Sequence, residues 1–205
     1  PPPPPPPPTL SCLHYPPPTY LPTSRCSSAA SDVYKRQIDD RYNGGGFIPD
    51  RMAEMLSRKP LNYWKWRGAE PVPTPLISHD GPKAMLINGQ SSSGGDALPY
   101  YFRKLGLGPL IGTRTWGGLI GISGNPSLAD GGVILAPTFR FIDTEGQWAV
   151  ENEGVAPDIE VIDRPDLVAK GQDPSLERAV EVLMKALEDN PPPTFDVPPA
   201  PTDFR

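Results

Sequence analysis

The chain has 205 residues, of which 24 are acidic and 19 basic, giving a net charge of −5. The two signs are interspersed, so no basic patch points to nucleic acid. The apolar runs are far shorter than the roughly 18–20 residues a membrane-spanning helix needs.

The N-terminal part reads as foreign to the fold. Twelve of the 31 prolines fall in residues 1–26, and the first eight residues are all proline. Such a segment stays extended, because proline fixes φ and donates no hydrogen bond. Residues 27–37, SSAASDVYKRQ, are similar at all eleven positions to the literal translation of a transposase sequencing adapter. Residues 1–37 are therefore set aside as non-native, and one domain is expected over 38–190. The strand at 38–42 is then expected to have lost its beginning. Cys12, Cys26 and His14 lie in the excluded part. The domain keeps no cysteine to report a redox compartment, and His79 is its one histidine.

In chain order, 38–42 reads as the end of a strand. Residues 47–58 read as a helix, with Ile48, Met52, Met55 and Leu56 at helical spacing and Pro49 in the first turn. The alternating, aromatic stretch 61–67 predicts a strand, and the proline-rich 68–82 a loop. Residues 83–87 predict a buried strand, and 94–105 a helix. Short strands are expected at 109–112 and 118–122, around the turn Arg114-Thr115-Trp116-Gly117. A buried strand is expected at 132–136. Residues 138–142 and 147–150 flank Asp143-Thr144-Glu145-Gly146, a hairpin signal. Residues 158–162 read as a last strand. Asp173 as N-cap and Pro174 as first helical residue open a helix with Leu176, Val180, Leu183 and Leu187 on its apolar stripe. The proline-rich tail 191–205 is expected to be extended. Alternating strands and helices give an α/β fold class.

Two glycine loops stand where a strand runs into a helix: Asn43-Gly44-Gly45-Gly46 and Ser91-Ser92-Ser93-Gly94-Gly95-Asp96. A glycine loop at a helix start presents free N–H groups and the positive end of the helix dipole. Two of them could aim donors at one developing negative charge beside a serine nucleophile. Rival motifs fail. A phosphate loop needs Lys-Ser/Thr where Gly95-Asp96 stands, neither loop has a dinucleotide fingerprint, and no Gly-x-Ser-x-Gly occurs here.

Four segments carry a resemblance: IDDRYNGGGF, LINGQSSSGGDALPYYFRKLGLGPLIGTRTWGG, DGGVILAPTFRF and WAVENEGVAPDIEV. Over about residues 38–162 the chain resembles the tail-specific (C-terminal processing) serine peptidases, and among them the tricorn protease branch. The resemblance implies a spiral α/β fold shared by Clp-type peptidases and crotonases, truncated here at its N-terminal side. It implies Ser93 as nucleophile, the N–H groups of Gly46 and Gly94 as oxyanion donors, and Glu151 as the acid that orients a catalytic histidine. In the branch with a Ser–Lys dyad, the lysine lies in a Thr-aromatic-Gly-Lys-Gly turn. Here that turn is Thr115-Trp116-Gly117-Gly118, and Gly118 takes the lysine's place. A Ser–His–Glu arrangement is the one implied. The family's histidine lies upstream of a PDZ-like domain, so this chain is expected to be a C-terminal half that is almost inactive by itself. The resemblance also implies peptide substrates, no metal or cofactor, and a homo-oligomeric parent. It leaves cytoplasmic and periplasmic compartments both open.

Plainer readings stand beside these. Ser91 and Ser92 read as turn residues, and Asp96 as a charge at the helix start. Glu153 competes with Glu151. His79, in the proline-rich loop, has nothing that fixes it as a base. Tyr63, Trp64 and Trp66 read as core or subunit packing, and Trp116 as structural. A non-catalytic binding module of the same fold, or a crotonase-like acyl-CoA enzyme, are the alternatives to a peptidase.

Overall fold

Residues 84–87 are buried completely, and both faces of that strand are covered by helices. The computed structural model describes residues 36–191 and 197–199. The expectations for residues 1–35 and for most of the tail lie outside the described residues. The order is β1 (Arg36–Asp39), α1 (Pro49–Ser57), β2 (Asn62–Trp64), β3 (Val72–Thr74), β4 (Lys83–Ile87), α2 (Gly94–Lys104), β5 (Leu110–Gly112), β6 (Ile159–Glu160), α3 (Pro165–Val168) and α4 (Pro174–Asp189).

A parallel sheet runs β1-β4-β5-β6. Alternation along β4 divides the core. Met85 and Ile87 point to one face, where they meet Leu110, Ala53 of α1, and Leu98 and Phe102 of α2. Ala84 and Leu86 point to the other, against Ile111 and Ala179 and Leu183 of α4. A strand buried on both faces has no polar side, which is why its sequence is an unbroken apolar run. The mixed α/β class with a parallel sheet is therefore present.

Several expectations are corrected. β2 is shorter than 61–67, and its antiparallel partner β3 lies inside the stretch read as loop. Pro73 sits in this isolated two-stranded ribbon, a place where proline's missing donor is tolerated. Residues 118–122, 132–136, 138–142 and 147–150 form no strands. Three isolated bridges remain, Gly121 with Phe139, Ser127 with Val133 and Ile142 with Trp148. The turn at 143–146 does form, through Gly146 N–H to Asp143 O at 3.2 Å and Asp143 N–H to Gln147 O at 2.9 Å. Val133, Ile134 and Leu135, expected in a buried strand, are 57–66% exposed. A short apolar run does not say what will cover it, and among the described residues nothing covers this one. Trp64, Trp66 and Trp116 are likewise exposed. No described helix is long and apolar enough to cross a membrane.

The N-terminus of α4 is clipped to the end of β1. Asp173 caps the helix by accepting the Leu176 N–H at 3.1 Å. Its carboxylate also takes two bonds from Arg41, at 2.7 and 3.0 Å. Arg41 further donates to Asp39, Asp163 and Ser175. Burial would raise the Asp173 carboxyl, yet the bonds from Arg41 and Leu176 hold it below its ordinary range. A lowered carboxyl contributes stability that is present above its unfolded value and lost as pH falls through the folded one. Arg41→Met is expected to cost about 1–2 kcal/mol, since the cluster is partly solvent-screened. Acid melts followed by circular dichroism should show a weaker loss of stability below about pH 4 in the variant than in the wild type.

Candidate active site

The serine turn begins where β4 ends. Ser91 is fully buried and donates its hydroxyl to Asp40 O at 2.8 Å, which ties this turn to the end of β1. Ser91 is thus more than a turn residue. The Ser92 N–H donates to Asn43 O at 2.9 Å, a second tie between the loops. Ser93 follows, at φ +56° and ψ −114°, and its side chain is exposed. A non-glycine residue held at such a φ stores about 1–3 kcal/mol.

Asp96 holds that strain. It is fully buried, and its carboxylate accepts three backbone N–H groups: Ser93 at 2.7 Å, Gly117 at 2.8 Å and Gly118 at 3.2 Å. The Ser93 N–H is shared with Gly118 O at 3.0 Å. The Ser-x-x-Asp spacing shows the first of these bonds in the sequence, as half of a capping box. The other two need the 115–118 turn to fold back on α2, which no local pattern reveals.

The two glycine loops touch. A Cβ on Gly94 would lie 2.6 Å from Gly46 O and 2.8 Å from Gly46 N. A Cβ on Gly45, whose φ is +112°, would lie 2.7 Å from Ser93 Cβ. Only glycine allows this approach. The N–H groups of Gly46 and Gly94 find no acceptor among the described residues, while Gly45 N–H is taken by Asn43 Oδ1 at 3.0 Å. Ser93, Gly94 and Gly46 all line one cavity of about 410 Å³. Its walls are largely apolar, with Phe47, Ala97, Tyr101, Leu119, Phe139 and Phe141, and Asp50 and Arg140 are its charged members.

Glu151 does not line this cavity. Its Oε2 accepts the N–H groups of Leu119 and Ile120 at 2.6 and 2.7 Å, and Oε1 has no partner among the described residues. It hangs from the same segment whose Gly118 binds Ser93. The turn that carries it is strained, with Val150 at φ +72° and Asn152 at φ +63°. A β-branched residue at positive φ is a true outlier, and nothing in the sequence foretold it. Glu153, the competing residue, is exposed.

His79 stands apart. It precedes β4, whereas Ser93 follows it, so the strand's length separates them. Its backbone N–H donates to Arg58 O at 3.3 Å, and both ring nitrogens are buried without a hydrogen-bond partner among the described residues. Burial, then the charges of Arg36 and Lys83, push its imidazole below the usual range. Among the described residues, no group of three or more His, Cys, Asp or Glu could hold a metal.

Residues 36–161 match the family described as Peptidase family S41. The chain belongs to that family. The S41 match starts at Arg36, the first residue of β1 and two residues inside the adapter-like string. The chain is 41% identical over 151 residues to the tricorn protease of Thermoplasma volcanium, and 40% over 152 residues to a putative tricorn-like protease C-terminal subunit of Sulfurisphaera tokodaii. Each alignment covers 74% of this chain, but only 15% and 18% of those relatives. A crystal structure of the tricorn protease matches with a TM-score of 0.71 at 38% identity, over 75% of this chain and 15% of that one. The photosystem II D1 C-terminal processing protease, at 24% identity, 40% of its own length and a TM-score of 0.50, shares the fold. The chain thus lies on the tricorn branch of S41, and its family is one of serine-type peptidases.

Asp96 is the residue on which the S41 serine turn hangs. Asp96→Ala leaves the Gly117 and Gly118 N–H groups without an acceptor, each costing about 1–3 kcal/mol, and leaves Ser93 N–H with Gly118 O alone. Urea unfolding should show a loss of at least roughly 2 kcal/mol, with Asp96→Asn intermediate because it keeps one acceptor oxygen.

Proposed function

We propose that this chain carries the nucleophile half of a peptidase site that cuts peptide bonds through an acyl-enzyme on Ser93. What supports the reading above all is the contact of the two glycine loops. It sets two unspent N–H donors and an exposed serine on one cavity. In the proposed reaction Ser93 Oγ attacks the scissile carbonyl, and its proton passes to an imidazole. The carbonyl oxygen becomes an oxyanion facing the N–H groups of Gly46 and Gly94, each worth about 3–4 kcal/mol in the transition state. The imidazolium returns the proton to the leaving amine, which leaves the acyl group on Ser93. Water then repeats the sequence and frees the acid. Glu151, with Oε2 fixed by two N–H groups, would use Oε1 to orient the imidazole and stabilise its charged form.

The described residues do not supply that imidazole, since His79 lies at the wrong end of β4. The chain alone is therefore expected to turn over about 10⁴–10⁶-fold more slowly than a complete triad. The intact parent is proposed to act on peptides and to self-associate. The apolar cavity walls suit a substrate with an aromatic or aliphatic side chain beside the scissile bond.

Added imidazole tests the reading, because it can replace a missing base. The chain is incubated with an N-acetyl-phenylalanine 4-nitrophenyl ester, with and without imidazole, and mapped by mass spectrometry. Acylation of Ser93 that rises with imidazole is expected. Ser93→Ala should abolish the adduct, and Gly94→Ala should slow its formation about 10²–10³-fold. Acylation spread over surface hydroxyls, or no adduct on Ser93, would sink the proposal.

A further inference from the structure

The Asp40 side chain has no part in the reaction proposed above, yet it lies beneath both glycine loops. It is 2% exposed and directly follows β1. Its N–H donates to Leu86 O at 2.9 Å, and its carbonyl accepts the Ser91 hydroxyl and the Asn43 N–H. Its Oδ1 accepts from Asn43 Nδ2 at 2.8 Å. Its Oδ2 is buried and has no partner among the described residues.

Asn43 is the node between the loops. Its Oδ1 holds the Gly45 N–H at 3.0 Å, and its carbonyl holds the Ser92 N–H at 2.9 Å. Gly45 precedes one candidate oxyanion donor directly, and Ser92 precedes the other by two residues. The side-chain bond between Asp40 and Asn43 therefore bears on the relative placement of both donors.

The surroundings of Asp40 suit a neutral acid. On its own strand segment the charged neighbours are Asp39 and Arg41, and the Arg41 guanidinium is spent on Asp39, Asp163 and Asp173. From α2 it is faced by Asp96, a further negative charge. From β4 and the loop after it come Leu86 and Ser91, both uncharged. Burial pushes the Asp40 carboxyl up to about 8, against the Asn43 bond and with the help of Asp39 and Asp96. Once ionised, Oδ2 would demand donors that only solvent could bring, and water admitted there competes with the Asn43 and Ser91 contacts.

We infer that Asp40 is a positioning residue for the glycine loops, which as a neutral acid keeps Asn43, and through it Gly45 and Gly46, in register with Gly94. The consequence for catalysis rests on reading Gly46 and Gly94 as oxyanion donors; the linkage between Asp40 and the loops does not.

The isotopically labelled full chain tests this by NMR, from about pH 6 to about pH 9.5. The Asp40 carboxyl carbon and the amides of Gly45, Gly46 and Ser92 should shift together, with a midpoint near 8. Asp40→Asn should remove the amide step and hold those amides near their wild-type low-pH positions. Thermal melts give the sign independently. A carboxyl raised from 3.8 to about 8 contributes stability that is full below about pH 4 and lost as pH rises through 8. The wild-type melting temperature should therefore decline across that window, and that of Asp40→Asn should decline less. An Asp40 carbon that titrates near 4, loop amides that ignore its titration, or a step that survives in Asp40→Asn would each overturn the inference. The wild-type titration needs no variant to fold. A flat titration would leave Ser93 acylation standing, and failed acylation would leave the titration standing.

Discussion

One buried carboxylate organises the serine turn. Asp96 gathers N–H groups from two segments more than twenty residues apart in the chain, at Ser93 and at Gly117 and Gly118. Without it, the Gly117 and Gly118 donors would face a water-poor interior with no acceptor, and Ser93 would have less reason to stay at positive φ. With it, strain at the serine is offset by charge-assisted hydrogen bonds, which are roughly twice as strong as neutral ones. The segment bearing Glu151's partners, Leu119 and Ile120, follows directly from the same anchor. Serine turn and acid are thus two attachments to one piece of chain.

The sheet supplies the rigid end of this arrangement. β4 is packed by α1 and α2 on one side and α4 on the other, so the point at which it releases the chain into the serine turn cannot drift. β1 lies beside it in parallel and releases its own chain into the other glycine loop. Two neighbouring parallel strands therefore deliver two loops to the same edge, the carboxyl end of the sheet, where open α/β sheets place their ligand crevices. The glycines then let the backbones meet without side chains between them.

Much of this was legible because it is written locally. Ala84–Ile87 is an apolar run with no polar face, and Asp173-Pro174 is a capped helix start; the strand Lys83–Ile87 and the helix from Pro174 both begin where the residues say they should. The glycine loops and Ser93 were legible as motifs, and the S41 match covers the segments that carried the resemblance. Illegible were the features made by distant chain. Ser91 reads as a turn serine until Asp40 O is placed against it. Asp96 reads as a helix-start charge until Gly117 and Gly118 arrive. The strands expected between 118 and 150 failed for the converse reason. Their turn at 143–146 was real, but a ladder needs a partner in register, and only isolated bridges form.

That long segment has a consequence for how the cavity would meet different ligands. Phe139 forms part of the wall, and it rides on chain held by an isolated bridge to Gly121, a few residues after exposed Val133, Ile134 and Leu135. Ser93, Gly94 and Ala97 form another part, at the start of a helix packed into the core. Local opening free energy follows the density of buried contacts and of shielded backbone hydrogen bonds. Amide hydrogens around 121–142 should therefore exchange well before those of α2 and β4. The cavity has a compliant jaw and a fixed one, and the fixed jaw holds the serine.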